Sequence, residues 1–165
     1  MPGTRDALPD ATDDDFLAKA LTEANACRAK HHAPPLTLDP QLVAYAKSRA
    51  ASRSEHQGLS AGHDGLRDGT GENIFWGGGT DPTPLSAAAA VASWYSEIAN
   101  YDWANPPGVP EKTGHFSQLV WTGSTRVGAA RAAGQGGDYF ETYIVFVFEP
   151  PGNYEGEYAK NVLPE

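Results

Sequence analysis

A chain of 165 residues with 40% hydrophobic content and seventeen aromatic side chains (four Trp, seven Tyr, six Phe) is large enough for one domain around a sizeable core. Its formal charge of −9, with twelve Lys and Arg scattered and never in a run, argues against a phosphate-backbone partner, so no nucleic acid is expected. The same acidity repels anionic headgroups, yet it leaves room for peripheral membrane contact and for an uncharged lipid held in a groove.

Residues 1–12 are polar and read as a loose lead-in, and 13–165 as a single domain. No positive region precedes an apolar stretch, so no signal peptide is expected, and position 2 is not the glycine that myristoylation needs. Cys27 is the only cysteine, which excludes an internal disulfide and leans toward the cell interior. Thr12 before Asp13, Asp14 and Asp15 reads as an N-cap with an acidic first turn. It opens a helix over 13–30 with Phe16, Ala20, Ala24 and Cys27 on its apolar face. His31-His32-Ala33-Pro34-Pro35 ends that helix, with both histidines expected to face solvent. Asp39 caps a second helix over 39–56, with Pro40 where a missing N–H costs nothing and Leu42, Val43, Ala46 and Ala50 as its stripe.

From 57 to 83 the chain is glycine-rich and aperiodic apart from Glu72 to Trp76, a length more often functional than decorative. Thr83-Pro84 opens a third helix over 84–99, with Ala88, Val91, Ala92, Tyr95 and Ile98 as its expected core stripe and Trp94, Glu97 and Tyr101 beside it. A short helical turn is expected around His115. The period then changes. Strands are predicted over 125–132 and 139–148, joined by Gly134-Gln135-Gly136-Gly137. Helices followed by a short antiparallel sheet predict an α+β fold with helical layers on both sheet faces.

Four residues gather imidazole and carboxylate in the most distinctive stretches. They are His63 ahead of Gly71-Glu72-Asn73-Ile74, Glu72 itself, Glu97 in Trp94-Tyr95-Ser96-Glu97, and His115 in Gly114-His115-Phe116-Ser117-Gln118-Leu119-Val120-Trp121. Two imidazoles with two carboxylates nearby suit a divalent ion, with the histidines as inner ligands and the acids orienting them or holding water. Each residue also has a plainer reading: Glu97 as a helix acid, His115 as a cap packed on Trp121, His63 as a loop histidine. Ser117 lies near His115 in sequence, but no nucleophile elbow and no HExxH is present. Gly77-Gly78-Gly79 lacks the lysine and the strand-to-helix context of a phosphate loop, and Trp76, Trp94, Trp103 and Trp121 read as core and cleft wall.

These stretches, together with Phe148-Glu149-Pro150-Pro151-Gly152-Asn153-Tyr154 and Lys160-Asn161-Val162-Leu163-Pro164, resemble the CAP superfamily of cysteine-rich secretory proteins, venom antigens and class one pathogenesis-related proteins. The ending resembles its small Golgi-associated branch in particular. The resemblance implies an α-β-α sandwich with a small antiparallel sheet between helical layers. It also implies a cleft tetrad of His63, Glu72, Glu97 and His115, with His63 and His115 as metal ligands and His56 competing with His63 for its place. The ion implied is divalent: zinc by the preference of imidazole, magnesium or calcium if oxygen donors dominate. The implied function is non-catalytic binding of a small lipid, a sterol or a fatty acid, and the alternative is a metal-dependent hydrolase using the same tetrad. An extracellular location follows from most of the family, and an intracellular or Golgi-associated one from the branch this ending resembles. Two departures stand out: no disulfides, and Phe148 where the family usually has tyrosine.

Overall fold

Strand β4 (Phe140–Glu149) organises the molecule, and its run Tyr143-Ile144-Val145-Phe146-Val147-Phe148 is buried throughout. A strand apolar on both sides needs cover on both faces, and here it has it. The computed structural model describes residues 2–165, with β4 between β3 (Arg126–Gln135) and β2 (Gly71–Gly79), both antiparallel to it. The two-residue β1 (Thr37–Leu38) lies parallel to β3, giving the order β1-β3-β4-β2.

Ile144, Phe146 and Phe148 face a helical layer of α1 (Asp14–Lys30), α3 (Ala87–Tyr95) and α4 (Pro110–Leu119), packing with Phe16, Val91, Trp94 and Phe116. Val145 and Val147 face α2 (Pro40–Ser54), packing with Leu42, Ala46 and Ala50. A short α5 (Tyr158–Asn161) follows β4. The architecture is the α+β sandwich expected, with helices on both sheet faces.

Asp39 caps α2 as expected, accepting from the Gln41 and Leu42 amides with Pro40 first in the helix, whereas α1 is capped by Asp13, which accepts from the Phe16 amide, and not by Thr12 one residue earlier. Several expectations are corrected. The glycine-rich 57–83 connection contains the nine-residue strand β2, whose partner β4 supplies what its own propensity lacks. The buried face of α1 ends on Arg28 rather than Cys27, and that of α3 is Ala87, Ala90, Val91 and Trp94, because the helix gives way at Ser96 to a 3₁₀ turn over Ser96–Asn100.

His31 is buried, not solvent-facing: Nδ1 bonds the Leu163 carbonyl, Nε2 the Tyr95 hydroxyl, and the ring stacks on Trp103. The lead-in is not loose either. Arg5 forms a two-pronged pair with buried Glu141 (2.8 and 2.9 Å), and Pro9 and Ala11 bond along the outer edge of β3 at Ala133 and Arg131. A carboxylate buried in the sheet needs a counter-charge, and the polar segment supplies it.

Candidate functional site

Four separate elements place the candidate side chains. His63 stands on the connection after α2, Glu72 is the second residue of β2, Glu97 sits in the 3₁₀ turn after α3, and His115 lies midway along α4. They meet as two His–carboxylate pairs: His63 Nδ1 to Glu72 Oε1 and His115 Nδ1 to Glu97 Oε2, each 2.8 Å. A cavity of about 190 Å³ is lined by His63, Glu72, Asn73, Pro110, Glu111, Gly114, His115 and Asn153. Glu97 stands behind His115 rather than on that wall, and Oε1 also accepts from the His115 and Phe116 amides (2.9 and 3.0 Å). Trp94 stacks on the far side of the His115 ring, and Asn73 Nδ2 donates to the His115 carbonyl. His56 is buried elsewhere, its carbonyl accepting from the Tyr143 hydroxyl, and it does not line the cavity.

An Nδ1 facing a carboxylate carries the ring proton, which leaves Nε2 as the lone-pair nitrogen of each neutral imidazole. The carboxylates therefore orient the rings, and the cleft receives two nitrogen donors. Among the described residues, no group of three or more His, Cys, Asp or Glu side chains is arranged to hold a metal ion. Ser117 Oγ bonds the Thr113 and Gly114 carbonyls and Asn153 Oδ1, and no bond joins it to the His115 ring.

Arg49 is the residue that sequence reasoning missed. Its Nε and Nη2 grip Glu72 Oε2 and Oε1 (2.6 and 2.8 Å), with both side chains almost completely buried. A signal existed: Arg49 and Arg53 fall on the core face of α2 beside Ala46 and Ala50, where a charge needs a buried partner. Burial alone would raise the Glu72 carboxyl, but the hydrogen bonds from Arg49 and His63 outweigh it and hold the group below its usual range. Because the folded value is lowered, this stabilisation is present above the ordinary carboxylate range and lost as pH falls through the folded value. Arg49→Met is expected to destabilise by about 3 kcal/mol near neutrality, since it strips a buried carboxylate of its main counter-charge. The gap from wild type should narrow in acid, where Glu72 is protonated in both proteins. Urea melts from neutral to acidic pH measure this, and a gap that stays constant would refute the electrostatic assignment.

Two further cavities are present. One of about 360 Å³ lies over Gly77 and Gly79 of β2 and is walled by Pro84, Leu85, Ala89, Phe140 and Thr142. The other, about 520 Å³, runs from Pro106 to Tyr158 and shares Pro110 and Asn153 with the histidine cleft.

Residues 21–148 match the model of the "Cysteine-rich secretory protein family" (CAP). Protein PRY2 of Saccharomyces cerevisiae is 37% identical over 91% of this chain, which spans only 42% of that relative. The human Golgi-associated plant pathogenesis-related protein 1 is 33% identical over 90% of this chain and 93% of its own length. A crystal structure of NaASP2 with Zn2+ shares the fold, with a TM-score of 0.64 at 21% identity over 96% of this chain and 90% of that one. With over half its length matched by the family model and a full-length human relative above 30% identity, this chain belongs to the CAP, or cysteine-rich secretory protein, family.

Proposed function

We propose that this chain is a non-catalytic lipid-binding CAP domain, with a sterol or a fatty acid as ligand, and that His63 and His115 hold a divalent ion in the separate cleft. The observation that carries the lipid reading is the cavity over Gly77 and Gly79. Its volume of about 360 Å³ lies within the range of small-molecule sites, and its walls are apolar apart from a few hydroxyls and Asp81. For the ion, the donor chemistry fits in part: two oriented imidazoles favour zinc over magnesium or calcium, and water must fill most of the remaining shell. The NaASP2 structure with Zn2+ supports the choice of zinc by kinship of fold. Bound there, the ion would supply a point of positive charge in an otherwise acidic molecule. No helix among the described residues is long and apolar enough to cross a membrane. We place the protein outside the cell by its kinship with pathogenesis-related proteins, with a Golgi-associated site as the alternative.

The two sites are separable by experiment. Titration with a fluorescent sterol and a fluorescent fatty acid should show saturable uptake of at least one, lost in Ala89→Trp, which fills the cavity. The His63→Ala, His115→Ala double variant should keep that uptake while losing zinc binding in calorimetry. Zinc affinity should fall as pH is lowered, because protons compete for the imidazole nitrogens. No saturable uptake by the wild type, together with metal-dependent ester or peptide turnover abolished by Glu97→Ala, would overturn this reading in favour of a hydrolase.

A further inference from the structure

Protein zinc sites are commonly built from three or four side-chain ligands, and the two imidazoles of the cleft account for only two. The acids that orient those rings are already engaged. Both oxygens of Glu72 are gripped by Arg49, and Oε1 also meets His63 Nδ1. Glu97 divides its oxygens between His115 Nδ1 and the His115 and Phe116 amides. Neither carboxylate can turn toward an ion without releasing the ring it aims. The neutral amides are held as well, Asn153 by the Gly114 carbonyl and the Ser117 hydroxyl, Asn73 by the His115 carbonyl. Glu111 is different. It lines the same cavity and is exposed, and among the described residues its carboxylate takes part in no hydrogen bond or ion pair. It also precedes His115 by four residues within α4, which sets the two side chains on one face of the helix.

We infer that Glu111 is a third protein ligand for the ion, joining His63 and His115 from the wall of the cleft. This rests on the reading of the histidine cleft as an ion site. As they stand, the three side chains do not form a metal-holding group. Glu111, exposed and untethered, is the part free to turn, and its rotation disturbs no bond of the fold. Charge points the same way. The negative charge of Glu72 is matched by Arg49, whereas Glu111 has no counter-charge beside it until a cation enters. Two imidazole nitrogens and one carboxylate oxygen are a donor set that zinc accepts, with a further position left to water. An acid in the first turn of a helix has a plainer use, because it complements the helix dipole. That use needs no ion, so it predicts an effect of Glu111 on stability but none on metal affinity.

Calorimetric titration of the full chain with zinc chloride tests this. Glu111→Gln should weaken binding by about tenfold or more, and the loss should persist in about 0.5 M salt, where a long-range effect of charge is screened. Glu155→Gln removes the same charge from the neighbouring cavity and should leave the affinity within about twofold of wild type. Glu111→His should bind more tightly than Glu111→Gln, because a histidine four residues before His115 again offers a donor from the same helix face. The rise in melting temperature on adding zinc should follow the same order, and taking that rise within each protein removes any effect on the helix dipole. If the wild type binds zinc through His63 and His115 while Glu111→Gln binds it equally well, the cleft is an ion site and the inference is overturned. A loss that vanishes in salt, an equal loss in Glu155→Gln, or a Glu111→His protein no better than Glu111→Gln would also overturn it. A wild type that binds no zinc would overturn the reading of the cleft itself, and this inference with it.

Discussion

Replacing Arg28 with methionine is expected to destabilise the protein by about 4 kcal/mol, the largest loss foreseen for any single side chain. Arg28 is fully buried and has no carboxylate beside it; four backbone carbonyls surround it instead. Nε donates to Pro34 at 2.8 Å, Nη1 to Leu119 and Trp121 at 3.1 and 2.8 Å, and Nη2 to Ser124 at 2.9 Å. One planar fork thus ties the turn after α1 to the end of α4 and the turn leading into β3. Burial pushes the guanidinium down to about 10, which still leaves it charged near neutrality. Methionine fills much of the volume but satisfies none of the carbonyls, and each buried acceptor left unpaired costs about 1–3 kcal/mol before relaxation. Arg28→Lys should recover only a minor part, because a point charge on a flexible stem cannot face all four oxygens. Guanidinium chloride melts of the three proteins measure the loss. A cost below about 1 kcal/mol for Arg28→Met would show that the carbonyls find other partners.

Why Arg28 escaped the sequence reading also explains how far that reading reached. Local signals were strong where they stood alone: Asp39 caps α2 as expected, α1 starts within one residue of its expected place although Asp13 rather than Thr12 caps it, and the apolar run of β4 is a strand however the rest is arranged. Features that exist only through a distant partner were opaque. β2 is a strand because β4 lies beside it, and Gly77 to Gly79 alone read as loop. His31 is buried because Leu163, Tyr95 and Trp103 close around it. Arg5 and Glu141 look like two surface charges until the fold brings them together across 136 positions. The cleft divides in the same way. The short blocks around Glu72, Glu97 and His115 are distinctive in sequence, whereas the Arg49 contact to Glu72 links helix to strand and leaves only the trace of a charge on an apolar face. Which carboxylate orients which imidazole is likewise a matter of tertiary contact.

Gly128→Val is expected to cost about 3 kcal/mol or more, for a reason that no contact made by a side chain would reveal. Gly128 is buried in β3 where α2 crosses the sheet, and a Cβ there would collide with the carbonyl group of Leu42 and the amide nitrogen of Val43. Those are backbone atoms, so no rotamer change can make room and the helix itself must move. It has little freedom to do so. The Thr37 amide is bonded to Thr125 just ahead of β3 and the Asp39 amide to Val127 within it, and the Asp39 carboxylate caps the helix one residue later. The strain therefore falls on the stretch that joins β1 to α2 and on the packing of Leu42, Ala46 and Ala50 against Ala130 and Val145. Gly128→Ala should already cost most of this, since the Cβ alone makes the clash. Gly137, which has ordinary backbone geometry and open space around a Cβ, is the control, and Gly137→Ala should shift stability by less than about 0.5 kcal/mol. Because α2 also carries Arg49, lifting the helix draws the guanidinium away from Glu72. The Gly128 variants should therefore show, in milder form, the pH-dependent stability gap expected of Arg49→Met. A Gly128→Val protein that melts with the wild type at every pH would mean that α2 is held less tightly against the sheet than these bonds imply.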